Sequence, residues 1–213
     1  MIYNLVAFAI GFVVMSFEFV AARTLSAHFG GATMVWGGLI SVVMGGLCLG
    51  STGAAFLAKK GFSTRDVSFY ILLAAAAVAV CSHVQKSVVV LIMILFSFKT
   101  AILLSAIFLY LVPAILLGST SPMLVHLASL RNPKLNAGYL SGMISAWGTL
   151  GSIVGTIVVS FYWIPAMGLL QIGYSLAAIL LMVAVFIGVG VYLFAPVRLG
   201  FGMDFLGRVR REV

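Results

Sequence analysis

Apolar residues run almost unbroken through 2–27, 33–58, 67–84, 87–129, 138–164 and 168–195, and polar residues gather in short segments between them. The separators are Gly30-Gly31, the charged stretch 59–66, Ser82-His83-Val84-Gln85-Lys86, Arg131-Asn132-Pro133-Lys134 and 163–168. A bilayer crossing takes ~20 apolar residues as a helix. The runs lack the period-2 alternation of barrel strands, and each is long enough to satisfy its own backbone in lipid. The pattern predicts an all-α, polytopic transmembrane helical bundle of six to seven helices.

The count turns on 87–129. As one helix it would extend ~64 Å against a hydrocarbon core of ~30 Å. Two full crossings give seven helices. A half-helix over 87–98 that enters and returns near Lys99, followed by a crossing at 101–128, gives six plus a re-entrant segment. Lys59, Lys60, Arg65, Arg131 and Lys134 mark their loops as cytoplasmic, whereas the 28–32 and 163–168 turns carry no Lys or Arg. The positive-inside rule then predicts a cytoplasmic N-terminus. The first run lacks a basic n-region and carries Glu18 within it, so it reads as a retained helix rather than a cleaved leader. The domain plan is a transmembrane domain over 1–195 and a basic cytoplasmic tail over 196–213. In that tail Arg208, Arg210 and Arg211 are candidates for contact with lipid headgroups or a partner.

Composition narrows the function. Of 213 residues, 63% are hydrophobic and 8% charged, which no soluble shell could accommodate. The net charge of +8 sits largely in loops and tail, where it fits membrane sidedness and gives no ground for nucleic-acid binding. Cys48 and Cys81 read as small core residues. His28, His83 and His126 stand singly on separate elements, without ligand spacing, so neither a metal nor another cofactor is expected. No P-loop occurs and no nucleophile–base constellation is visible, so the chain is not read as an enzyme.

Glu18 is the sharpest signal, because an acid in lipid costs several kcal/mol unless neutralised or paired. Arg23, five residues on, is rotated ~140° around the helix and does not share its face. Partners for Glu18 would come from Lys99, His126, Ser121 or Thr149. The acid serves either as hydrogen-bonded structural glue or in binding and proton coupling. Glu18, Arg23, Ser121 and His126 are the candidate binding residues. Pro113, Gly118 and Pro122 mark a candidate helix break of the kind that lines transporter sites, or a kink satisfied by Ser and Thr. Gly46 and Gly50, like Gly151 and Gly155, make small-xxx-small steps that predict tight packing within one bundle or between protomers.

Three segments carry a family resemblance. The first runs from Gly11-Phe12 through Phe17-Glu18-Phe19-Val20-Ala21-Ala22-Arg23 to His28-Phe29-Gly30, with Trp36, Gly50 and Gly53. The second is Leu111-Val112-Pro113-Ala114-Ile115-Leu116-Leu117-Gly118 with Ser121-Pro122. The third is Thr149-Leu150-Gly151-Ser152-Ile153-Val154-Gly155-Thr156 with Ile164-Pro165 and Gly168. In this order they resemble the membrane region of the fused MFS/spermidine-synthase proteins, with His28 where that pattern often has Pro and Gly148 where it has Ser. The resemblance implies a bundle like half of an MFS carrier in a bacterial inner membrane. The family's aminopropyltransferase-like domain has no counterpart in these residues, so no aminopropyl transfer is implied. Two functions follow as expectations. One is a non-catalytic scaffold or anchor that recruits a separate soluble synthase-like subunit. The alternative is a small carrier, dimeric or otherwise homo-oligomeric, for a polyamine-like or other cationic solute.

Overall fold

The first apolar run folds as one helix, α1 (Ile2–Phe29), and stops where Gly30 takes φ +80°, a left-handed conformation that ends helices at little cost to glycine. The computed structural model describes residues 2–58, 61 and 63–194. Among them follow α2 (Thr33–Ala58), α3 (Thr64–Leu95), α4 (Phe98–Arg131), α5 (Ala137–Ala166) and α6 (Leu169–Phe194). All six are long and apolar enough to span a membrane, and no strand occurs among the described residues. The chain is a helical integral membrane bundle.

Local chemistry fixes the helix ends. Ser63 begins α3 with a capping box: its N–H donates to the Asp66 carboxylate at 2.8 Å, and its Oγ accepts from Arg65 N–H at 3.4 Å. Asn136 caps α5 by accepting from Gly138 N–H at 2.9 Å. Within α5, Val158–Trp163 forms a π-helical turn just before Pro165. Pro165 cannot donate to the carbonyl four residues earlier.

The reading of 87–129 as two crossings is overturned, and so is the re-entrant half-helix 87–98, whereas the single crossing at 101–128 is found within α4. Residues 87–95 complete α3, which passes straight through the polar segment 82–86, and α4 is a single crossing. The real turn is Phe96–Ser97, where the Ser97 and Thr100 hydroxyls bond at 2.9 Å. Among the described residues the count of spanning helices is six, with no re-entrant half-helix between α3 and α4. The 30–32, 96–97 and 167–168 turns then share one end of the bundle. Phe29 meets Phe98 edge-on at 5.8 Å there, and Gly31 and Gly168 line a common cleft. Arg65, Arg131 and Lys134 lie towards the opposite end, while Lys59, Lys60 and the tail with Arg208, Arg210 and Arg211 fall outside the described residues.

Packing follows a repeat. α2 lies on α4, α5 on α1, and α3 on α6, with α1 in touch with every other helix. A Cβ on Gly50 of α2 would overlap the Ile115 carbonyl and stand 3.0 Å from Ser119 N. A Cβ on Gly151 of α5 would overlap the Phe8 carbonyl and stand 3.0 Å from Phe12 N. The hydroxyl next to each glycine reaches the same place: Ser51 Oγ donates to Gly118 O at 3.0 Å, and Ser152 Oγ lies 3.1 Å from Gly11 O. Gly118 in turn packs on Leu47, as Gly11 does on Gly148. The α3–α6 pair matches itself end for end, with Ser82 against Gly173 and Ser68 against Gly188. Helices α1–α3 and α4–α6 are thus two copies of one unit. Because α4 starts at the end opposite α1, the copies are inverted. The four glycines Gly46, Gly50, Gly151 and Gly155 all lie at helix contacts within this one bundle.

Candidate functional site

The core of the bundle is α1 against α4. In each of their spans 56% is buried, compared with 28% in α2 and 22% in α5. Edge-to-face stacking of Phe17 on Tyr110, centroids 5.6 Å apart, sets the level of Glu18 on α4. The Glu18 side chain is 7% exposed, and its Oε2 has no hydrogen-bond partner. The neighbours one turn away on its own helix, Val14, Ala21 and Ala22, offer no polar group. An acid so held gives up its water without a protein donor to replace it, so it favours either a proton or an incoming cation.

The other candidates do not assemble around it. Counting along α4 from Tyr110, Ser121 stands ~16 Å and His126 ~24 Å further towards the basic end, and Lys99 ~16 Å towards the turn end. Ser121 is exposed. Thr149, also exposed, donates to Ser145 O at 2.9 Å in its own helix. Glu18 and Arg23 therefore occupy one end of the core, and Ser121 and His126 the other.

Pro113, Gly118 and Pro122 do not break the helix: α4 is continuous through all three. Hydroxyls of the same turn add bonds of their own, and at Pro122 a neighbouring helix repairs the gap. Ser119 and Thr120 hydroxyls donate back to Leu116 O and Leu117 O within the same turn. Pro122 has no N–H for Gly118 O, and Ser51 of α2 supplies the missing donor. The equivalent of Pro122 in the first copy is Met15, whose backbone N–H is present, so Gly11 O there does not depend on Ser152, which shares its one proton between Gly11 O and Gly148 O.

A polar junction escaped the reading of the sequence. Gln85 of α3, 6% exposed, directs its Oε1 to Thr24 Oγ1 of α1 at 3.2 Å and to the Tyr110 hydroxyl of α4 at 3.4 Å. Thr24 Oγ1 also lies 2.9 Å from Val20 O, so two acceptors share its one proton. This junction ties three helices together about a turn and a half beyond Glu18. The sequence carried little signal for it, because Gln85 stands in the polar segment 82–86, which reads as a loop, while inside a helix a buried Gln needs a partner.

Arg23 opens into a cleft of about 560 Å³ at the turn end. Its walls come from Ser26, Ala27 and Gly31 on one side and Ile164, Met167, Gly168 and Leu169 on the other. His28 Nδ1–H is directed away to Thr24 O at 2.9 Å, and His83 pairs with the Tyr174 hydroxyl at 2.9 Å on the α3–α6 flank. Among the described residues, no three His, Cys, Asp or Glu side chains come together to hold a metal ion. No family model matches the chain, and neither a curated protein nor a solved structure does.

Proposed function

We propose that the chain is the half-unit of a membrane carrier for a small organic cation, and that two copies combine to form the full carrier. The observation that carries this reading is Glu18 Oε2, buried without a donor, set in a six-helix inverted repeat. A cation that reaches it replaces lost hydration with direct charge pairing, which gives a fixed negative group a reason to be kept in lipid. The inverted repeat supports the same reading, since alternating access works by rocking one such unit against another around a shared site. The resemblance in three ordered segments to spermidine-synthase fusions suggests a polyamine-like solute, in a bacterial inner membrane with a cytoplasmic N-terminus.

An anchoring role has its own support in Arg65, Arg131 and Lys134, which lie towards one end, where they could hold a soluble synthase-like partner through its acidic surface. The two readings part on one experiment. Purified protein in proteoliposomes should take up radiolabelled spermidine, and Glu18→Gln should abolish uptake while Glu18→Asp keeps a fraction of it. Equal uptake by wild type and Glu18→Gln, both correctly inserted, would overturn the carrier reading.

A further inference from the structure

The Arg23 cleft has a composition that neither solute transport nor helix packing uses. It holds one guanidinium, one hydroxyl from Ser26, and no carboxylate; the remaining walls are Ala27, Ile164, Met167 and Leu169 with the backbones of Gly31 and Gly168. The described acids are Glu18, buried in the core, and Asp66, which caps α3 at the other end of the bundle. Among the described residues, therefore, no acid lines the cavity that Arg23 faces.

A second source of positive potential points into the same space. Helix α6 starts at Leu169, a wall residue, and spans 26 residues, so its first amides and its dipole present partial positive charge there. Just before them, Gly168 N–H donates to Gln171 Oε1 at 3.3 Å. A volume of about 560 Å³ falls within the usual range of ligand pockets, ~300–1,000 Å³, and exceeds what one phosphate group fills.

Depth completes the argument. The Phe17–Tyr110 contact and the repeat together put the level shared by the two copies near Ile10 of α1 and Leu117 of α4. With that level at the bilayer centre, Arg23 stands ~20 Å out, beyond the ~15 Å half-thickness of the hydrocarbon and level with the headgroups. The apolar walls run from there back towards the core.

We infer that the Arg23 cleft is a binding site for a phosphate-bearing amphiphile. Arg23 pairs with the phosphate oxygens, Ser26 and the α6 amides donate to them, and Ile164, Met167 and Leu169 cover the adjoining methylenes. The phosphate can come from an anionic membrane lipid or from a soluble phosphate compound, and the two sources are separable.

The test uses the purified full chain in a neutral detergent, with thermal unfolding and native mass spectrometry as readouts. Dioctanoyl-phosphatidylglycerol, dioctanoyl-phosphatidylcholine and inorganic phosphate are titrated separately. Retention and a rise in Tm with phosphatidylglycerol, but not with inorganic phosphate, identify the lipid source; a rise with inorganic phosphate identifies the soluble one. Arg23→Gln should weaken the effective ligand about tenfold or more, the usual effect of losing a charge-assisted pair. Arg23→Lys should retain most of the affinity, and Arg131→Gln should leave it within about twofold. Met167→Trp keeps the arginine but fills the cleft, and should abolish binding, which covers the case of an Arg23→Gln variant that fails to fold. The inference is overturned if no phosphate compound stabilises the protein. It is equally overturned if Arg23→Gln and Met167→Trp bind as tightly as wild type.

Discussion

Alanine at Gly50 or Gly151 should loosen the bundle, whereas alanine at Gly45 or Gly142 should not. The geometry sets the size of the difference. A Cβ at Gly151 would stand 2.7 Å from the Phe8 carbonyl carbon, and one at Gly50 would stand 2.9 Å from that of Ile115. Ordinary contact begins at 3.4 Å, so α5 must retreat from α1 by at least about 0.7 Å, and α2 from α4 by about 0.5 Å. The obstructing atoms are backbone, so no rotamer change relieves them, and forced overpacking costs ~1–3 kcal/mol. Gly45 and Gly142 have no heavy atom within 4 Å of the same position. There alanine gains up to ~1 kcal/mol of helix propensity, less in a micelle where unfolded segments stay helical. The two pairs should therefore differ by ~2 kcal/mol. Reversible unfolding in mixed micelles of rising dodecyl sulfate fraction measures this, followed by the fluorescence of Trp147, which packs against Phe8 at 6.5 Å. Equal stabilities for Gly45→Ala and Gly151→Ala would refute the packing argument, and a loss at Gly151 without one at Gly50 would refute the equivalence of the two copies.

Two further outcomes follow from the hydrogen bonds. Ser51→Ala leaves Gly118 O without a donor and should cost ~1–3 kcal/mol, whereas Ser152→Ala should cost less because Met15 N–H still serves Gly11 O. Adding Pro122→Ala to Ser51→Ala restores a backbone donor and should recover most of the loss, and the same unfolding assay reads all three variants. Gln85→Leu strands the fully buried Tyr110 hydroxyl and should destabilise by ~1–3 kcal/mol, with part of that recovered in the double variant with Tyr110→Phe. No recovery would mean that Gln85 acts through packing alone.

Hydropathy and small-residue spacing made the helical membrane class legible, along with the bounds of α1 and α2 and the presence of glycine contacts, because those properties are local to each run. The α3–α4 boundary was misread for a physical reason. Ser82, His83 and Gln85 look like a loop, yet Ser82 Oγ donates to Val78 O at 2.7 Å, His83 meets Tyr174, and Gln85 meets Thr24 and Tyr110. Ser82 is satisfied by its own helix, but the partners of His83 and Gln85 lie on other helices, and a sequence window does not contain them. The true turn at Phe96–Ser97 is flanked by Leu95 and Phe98 and carries little polarity of its own. The continuity of α4 was hidden likewise, since the donor that repairs the Pro122 gap sits on α2. The inverted repeat did leave a trace, the shared Leu-Gly-Ser of 49–51 and 150–152, but so short an echo gains meaning only when both copies are seen on equivalent backbone.

The most direct test of the central claim, two inverted three-helix units in six crossings, is sided labelling of single cysteines. In a background with Cys48→Ala and Cys81→Ala, cysteine is introduced at Gly31, Ser97, Gly168, Ser63 or Lys134. Each variant is then challenged with a membrane-impermeant maleimide on intact cells and on inverted vesicles. Positions 31, 97 and 168 should react from one side, and 63 and 134 from the other. Reaction of position 97 from the same side as 63 and 134 would contradict the account.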